Sequence, residues 1–392
     1  MKKYQAHLQY ALVQAGVWGL YGSLLCYAQN YLLNKNFSNI FVSGILGVAS
    51  VCSVIFQIIV TEWVNRSKSI TLIKVIIALS TIILYACAIL RWKSISNVAT
   101  AIIYALGIVC LQMLPAFVNA MGMSAIQSGG KVNFGFARGI GSSAYALVSF
   151  LVGRWIITEG YDVILFVTMV LCITLSHSSF IFNINHSKVT IQEERTENLG
   201  LLQFFRHHQK FSLFLIGCIF CAISHSLTTS YLYQITISKG GTSAEQGIAA
   251  AMAALLELPA MFLFLPMVKR VCCDTWVKIS GLFFTLKAFF IFLAPNVAGL
   301  YGAMSFQLLG FALYSVSSVY YAGNVISPKY VVQSQSYLFV AFNIGGILSL
   351  MIGGPILEAF DIQTLMLVAT AFGFAGFLLF SLGTEKVKKV VI

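Results

Sequence analysis

Runs of about twenty predominantly apolar residues follow one another along almost the whole of this chain. A helix that crosses a bilayer needs about 20 such residues, because each residue advances the helix by about 1.5 Å. The runs that meet this length predict twelve transmembrane helices, over 8–33, 40–64, 70–91, 97–126, 136–158, 163–184, 211–236, 248–268, 275–295, 296–326, 334–357 and 365–382. The least distinct boundary lies at Pro295-Asn296, which alone separates two of the runs. The fold class predicted from this pattern is an all-α integral membrane protein.

The composition excludes a soluble globular protein. Of the 392 residues, 59% are hydrophobic and 9% are charged, whereas soluble domains average about 25% charged residues. The net charge of +12 is dispersed over short loops, which indicates contact with the lipid bilayer and excludes nucleic acid as a partner. The 9 cysteines show neither a disulfide framework nor the spacing of a metal site.

The basic residues of the predicted loops predict an orientation. Loops on one side carry Lys2, Lys3, Arg66, Lys68, Lys131, Lys188, Arg195, Arg206, Lys210, Lys269, Arg270, Lys329, Lys386, Lys388 and Lys389. Loops on the other side carry only Lys35, Arg91, Lys93 and Lys239, with Arg154 nearby. Because cytoplasmic loops are enriched in Lys and Arg, both termini are expected in the cytoplasm of a cell-membrane protein. The first run lacks a small-residue cleavage site, so we expect it to be retained as a helix.

One long polar stretch, 185–210, divides the chain almost in half. We therefore predict a six-helix bundle over 1–184, a cytoplasmic linker over 185–210, and a second six-helix bundle with a short tail over 211–392. This six-plus-six arrangement resembles the major facilitator superfamily, whose halves are parallel repeats with the substrate at mid-depth.

The fifth predicted helix opens on N-F-G-F-A-R-G-I-G-S-S-A-Y-A, which places Arg138 within an apolar run. A charged residue at the bilayer centre costs at least about 2.5–3.5 kcal/mol, so Arg138 is either a functional cavity residue or close enough to the cytoplasmic end to extend its charge to water. The segment resembles the start of the fifth helix in the oligosaccharide:proton symporters, the lactose permease branch. That resemblance implies that Arg138 binds solute and that Tyr145 stacks on a sugar ring. From the residue type alone, an aromatic residue on an apolar helix is more often a packing residue, and only the spacing of Tyr145 from Arg138 favours the stacking role.

Further motifs resemble the wider group of oligosaccharide, nucleoside and phenylpropionate symporters. They are Val118-Asn119-Ala120, Glu257-Leu258-Pro259-Ala260-Met261-Phe262, Lys287, Gln307-Leu308-Leu309-Gly310, and Ser334-Gln335-Ser336 with Gly345-Gly346 and Gly353-Gly354. The seventh helix has His225, Thr228 and Thr229 in place of the lactose permease aspartates, so lactose is not the expected solute.

Glu257 is the one acidic residue well inside a predicted span. Burial disfavours the charged carboxylate, whereas a nearby Lys287 or Arg138 favours it, and this competition suits a group that binds and releases protons. The alternative is a static buried salt bridge. His225 is a second candidate for proton coupling or a hydrogen-bonded packing residue.

Four more residues are candidate solute ligands: Asn119, Gln127, Gln307 and Lys287. Lys287 could donate to a solute or serve as the counter-ion of Glu257, and the three amides could instead join helices to one another.

The sequence therefore predicts a secondary active transporter, not an enzyme, that carries a sugar or nucleoside with protons. We expect a monomer that needs no cofactor or metal and uses the proton as coupling ion. Efflux of an amphipathic compound remains an alternative, as does a sensor that has lost transport. A membrane-embedded enzyme is disfavoured because no metal-binding or nucleophile motif is found.

Overall fold

The computed structural model describes residues 2–66, 70–91, 95–127, 134–186, 201–327 and 330–387. Within these ranges every regular element is helical, and eleven segments are long and apolar enough to span a membrane. The all-α class is confirmed. The chain divides into two compact units.

The first unit contains seven helices and a π-helical turn, Tyr21–Leu25, between the first two of them. The helices are α1 (Lys2–Leu20), α2 (Ala28–Asn34), α3 (Asn39–Arg66), α4 (Leu72–Leu90), α5 (Asn97–Gln127), α6 (Phe134–Glu159) and α7 (Asp162–His186). Helix α1 packs along α6 and α7, and α4 packs along α5 and α7. The segment Ser243–Ala254, from later in the chain, also belongs to this unit.

The second unit contains the remaining helices, with a 3₁₀ turn (Ser305–Gln307) and a π-helical turn (Leu308–Ala312) in one span. The helices are α8 (Leu201–His207), α9 (Gln209–Ser230), α10 (Leu232–Ser238), α11 (Ser243–Arg270, in this unit from Leu255), α12 (Cys273–Leu293), α13 (Val297–Met304), α14 (Leu313–Val325), α15 (Val331–Ala359) and α16 (Ile362–Gly383). Helix α9 packs against α15 and α16. The approach is close, since a Cβ at Gly345 would lie 2.6 Å from the Ile219 carbonyl oxygen.

The break predicted at Pro295-Asn296 is confirmed. Helix α12 ends at Leu293, and the side chain of Asn296 accepts a hydrogen bond from the backbone N–H of Gly299 at 3.0 Å, which caps α13. The segments Cys273–Leu293 and Val297–Val325 are separate candidate spans. The predicted span 248–268 lies within α11, a helix of 28 residues.

The domain boundaries predicted at 184 and 210 stay predictions, because most of the linker, 187–200, lies outside the described residues.

Large apolar side chains are exposed on both units, among them Trp63, Ile102, Phe339 and Leu382. Lipid is the solvent that tolerates such a surface.

Candidate functional site

The first span widens at the turn Tyr21–Leu25, where the backbone N–H of Cys26 donates to the Tyr21 carbonyl at 2.9 Å. Gly22 lies in this turn, and a Cβ there would be 2.8 Å from the carbonyl oxygen of Tyr145 in α6. Glycine therefore permits an approach to α6 that any side chain would obstruct. Single π-turns within helices are frequent at functional sites.

Arg138, in the first turns of α6, contacts an aromatic residue of α1. The guanidinium carbon is 3.8 Å from the centre of the Trp18 ring. One guanidinium nitrogen, Nη1, donates to Oγ of Ser142 at 2.8 Å. A cation on an indole face gains about 0.5–1 kcal/mol when exposed and about 2 kcal/mol when desolvated. These contacts hold the half-buried guanidinium against α1. A side chain that only extended its charge to water would not need them.

Gln14 lies one turn before Trp18 and connects its indole to α5. The indole Nε1 donates to Gln14 Oε1 at 3.0 Å, and Gln14 Nε2 donates to Asn119 Oδ1 at 3.0 Å and to the Tyr10 hydroxyl at 2.8 Å. The Tyr10 hydroxyl donates to the Val118 carbonyl at 3.2 Å. Three helices, α1, α5 and α6, therefore share one polar network around Arg138.

The other predicted residues of this unit are Asn119, Tyr145 and Gln127. Asn119 belongs to the polar network around Arg138. Tyr145 packs beside the alanines Ala146, Ala251 and Ala254 and hydrogen-bonds to the Cys26 side chain. Gln127 is the last residue of α5, and its side chain lies outside the described part of the structure. The stacking role of Tyr145 and the ligand role of Gln127 stay predictions.

Two predicted residues of the second unit, Lys287 and Gln307, lie together at a buried ammonium group, and a third, Glu257, acts on that group electrostatically. Lys287 in α12 is 2% exposed, and its Nζ donates to Gln307 Oε1 at 2.8 Å. Gln307 is itself buried, in the 3₁₀ turn. The carboxylate of Glu257 in α11 interacts electrostatically with the Lys287 ammonium. Two titratable groups of opposite charge, one of them buried, therefore act on each other within this unit.

His225 of α9 lies among phenylalanine rings. Its imidazole stacks on Phe311, with centroids 4.4 Å apart and planes inclined by 6°. The rings of Phe284 and Phe342 lie 5.7 Å and 5.9 Å away. Its Nδ1 is buried and has no hydrogen-bond partner among the described residues. Lys287 acts on this imidazole electrostatically, so packing and proton coupling both remain open roles.

Sequence reasoning missed Trp18, Gln14 and Phe311. A signal for the first two existed, because a polar and an amphipathic residue four positions apart share one helix face. In the described part of the chain, no three His, Cys, Asp or Glu side chains are grouped as a metal site.

Comparisons with known proteins agree with this architecture. The family model described as the MFS_1 like family matches residues 10–374. No curated protein sequence matches this chain.

Solved structures of transporters superpose on almost the whole chain. The nucleoside transporter NupG does so with a TM-score of 0.78 at 15% identity, covering 97% of this chain and 100% of that one. An auto-inhibited POT family peptide transporter gives 0.73 at 11% identity, with 97% and 96% covered. A bacterial homologue of the iron transporter ferroportin, in an inward-facing state, gives 0.72 at 11% identity, with 97% and 99% covered. At such identities these likenesses show the fold alone.

The family match extends over far more than half of the chain, and the helices form the fold that such transporters share. This protein therefore belongs to the MFS_1 like family and is a multi-pass membrane transporter of the major facilitator type.

Proposed function

We propose that the protein is a proton-coupled symporter that carries a small polar solute, a sugar, oligosaccharide or nucleoside, by alternating access. The observation that carries this proposal is the buried Lys287 ammonium of α12, on which Glu257 of α11 acts electrostatically. Ionisable residues within membrane spans are costly, and where they persist they mark ion and substrate pathways.

Glu257 serves as the coupling acid. A nearby ammonium favours the charged form of a carboxylate, whereas removal from water favours the protonated form. The electrostatic interaction between Glu257 and Lys287 supports this role. A movement that changes its distance from Lys287 changes which form is favoured, and so links proton binding to the transport cycle. His225 is the second coupling candidate, since Lys287 acts on it too.

Arg138 holds the solute, and Tyr145 stacks on its ring. Asn119, Gln127, Gln307 and Lys287 supply further donors and acceptors. A nucleoside is a solute class that the likeness to NupG supports, and a sugar is the class that the fifth-helix motif supports.

The protein resides in the cell membrane as a monomer with both termini in the cytoplasm, and the proton is its coupling ion. The excess of Lys and Arg on one set of loops supports this orientation. No metal or organic cofactor takes part, and the protein is not an enzyme.

Uptake into right-side-out and inverted membrane vesicles tests the proposal. A panel of radiolabelled sugars and nucleosides is offered with and without an imposed pH gradient. We expect one class to accumulate when protons flow inward, and expect Arg138→Ala to abolish accumulation. Glu257→Gln should lose gradient-driven accumulation, whereas Glu358→Gln, at an exposed acid near the end of α15, should retain it.

Wild-type accumulation by Glu257→Gln under the same gradient would show that another group couples the proton. Movement of no panel member, with outward movement of amphipathic dyes, would favour efflux. The phenylalanine rings around His225 are the observation that supports that second candidate. Binding of a solute without flux would indicate a sensor.

A further inference from the structure

Trp18 belongs to none of the solute-binding roles proposed above, yet its ring lies directly against Arg138. We infer that Trp18, oriented by Gln14, is a positioning residue that holds the Arg138 guanidinium in one arrangement. The functional consequence rests on the proposed solute-binding role of Arg138, whereas the positioning itself rests on the geometry alone.

The first step is the orientation of the Gln14 amide. An indole N–H only donates and an amide oxygen only accepts. The Trp18 indole must therefore face Oε1 of Gln14, and Oδ1 of Asn119 must face Nε2 of Gln14. The distances of 3.0 Å on both sides agree with this arrangement. A flipped amide would set donor against donor and acceptor against acceptor. Gln14 is 1% exposed, so water does not compensate for a flip.

The second step is the placement of the indole. The hydrogen bond to Gln14 sets the direction of Nε1, and Gly141 leaves room for the ring edge on α6. A Cβ at position 141 would lie 2.5 Å from Cδ1 of Trp18 and 3.3 Å from the Gln14 carbonyl oxygen. The indole therefore occupies a space that Gln14 of α1 and Gly141 of α6 define.

The third step is the guanidinium. It lies 3.8 Å from the ring centre of Trp18 and donates to Ser142, which is 2% exposed. An arginine side chain is long and has many rotamers, and these two contacts select among them. Trp is the aromatic residue that attracts a cation most strongly, Phe less, and Leu has no π face.

The test measures how fast phenylglyoxal modifies Arg138, read by peptide mass spectrometry on the purified full-length protein in lipid nanodiscs. The Trp18→Leu variant should react about three to ten times faster than wild type, and Trp18→Phe should fall between them. Gln14→Met should react about two to three times faster, because the indole loses one hydrogen bond. In every variant Arg154, which lies 4.8 Å from the Phe150 ring in the same helix, should react at the wild-type rate.

The matched control is Trp155→Leu, at a 42% exposed indole later in α6, which should leave the Arg138 rate unchanged. Size-exclusion profiles identify variants that fold. Equal Arg138 rates in wild type and folded Trp18→Leu, or an equal acceleration at Arg154, would overturn the inference. If Trp18→Leu does not fold, an unchanged rate in Trp18→Phe and Gln14→Met overturns it instead.

A panel solute that the wild type accumulates supplies a second readout. Trp18→Leu should raise its KM about tenfold with little change in maximal rate, and Trp18→Phe should recover most of the loss. Protection of Arg138 by Trp18 without any solute uptake would leave the positioning intact and contradict only the proposed function.

Discussion

Each unit of this transporter surrounds one cation with a different kind of partner. Arg138 of the first unit lies against an indole face and a hydroxyl group, behind which amides form a hydrogen-bonded network. Lys287 of the second unit donates to an amide oxygen, and the carboxylate of Glu257 acts on it electrostatically. Both cations occur in helices that are otherwise strongly apolar.

The difference separates two tasks. A guanidinium remains protonated throughout the physiological range, and a π face has no proton to exchange, so the Arg138 cluster suits binding at constant charge. A lysine and a glutamate both titrate, and burial alters the balance between them, so the Lys287 cluster suits a charge that changes during a cycle.

Removing the charge of Arg138 and removing that of Glu257 should have different effects on exchange and on accumulation. Arg138→Gln should lower both equilibrium exchange and gradient-driven accumulation about 10- to 100-fold, because charge-assisted hydrogen bonds are lost. Glu257→Gln should abolish accumulation but retain exchange, since exchange needs no net proton transfer. Parallel exchange and accumulation assays in vesicles check this. Equal loss of both fluxes in a correctly folded Glu257→Gln protein would contradict the separation of tasks.

Loss of the amide beside Lys287 should destabilise the second unit. Gln307→Leu leaves a 2% exposed ammonium without its hydrogen bond to Oε1 and should cost about 1.5–3 kcal/mol of folding free energy. Gln335→Leu removes an amide that donates to the Val319 carbonyl near the surface and serves as the control, with an expected effect below about 1 kcal/mol. Denaturant unfolding in detergent measures both, and equal losses would show that the Lys287 contact has no special weight.

An added methyl group should destabilise the protein beside Trp18 but not in the π-helical turn of the second unit. At Gly141 the added Cβ would lie 2.5 Å from Trp18, so Gly141→Ala should cost about 1–3 kcal/mol by overpacking and should weaken solute uptake. At Gly310 the nearest heavy atom would be 3.6 Å away, an ordinary contact, so Gly310→Ala should fold normally. Thermal unfolding followed by size exclusion compares the two. A less stable Gly310→Ala than Gly141→Ala would argue against the close fit of the indole.

Replacing His225 should change least. His225→Phe retains a flat ring against Phe311 and removes a buried Nδ1 that has no partner among the described residues, so stability should change by less than about 1 kcal/mol. The pH profile of uptake then decides its role. An unchanged profile assigns His225 to packing, whereas a shifted profile assigns it to proton coupling with Glu257.

Much of the second cluster could be anticipated from sequence. Glu257, Lys287 and Gln307 are polar residues in apolar runs, and each was a candidate from the sequence. The structure adds the hydrogen bond between Lys287 and Gln307. The first cluster was only partly anticipated, because Arg138 and Asn119 were candidates but their connection through Trp18 and Gln14 was not. A tryptophan in an apolar run looks like packing until its neighbour is known.

The sequence alone determined the class of protein and where most helices begin and end. The length of an apolar run corresponds to the thickness of the membrane. A capping residue such as Asn296, or a polar gap, marks a helix end. Both signals are local in the sequence. Only the tertiary structure decided that Trp18 meets Arg138, which lies 120 positions further along the chain, and that Gln307 meets Lys287. The physical reason is that lipid is as apolar as a protein core. A transmembrane helix is therefore hydrophobic on every side, and its sequence does not show which face it turns inward.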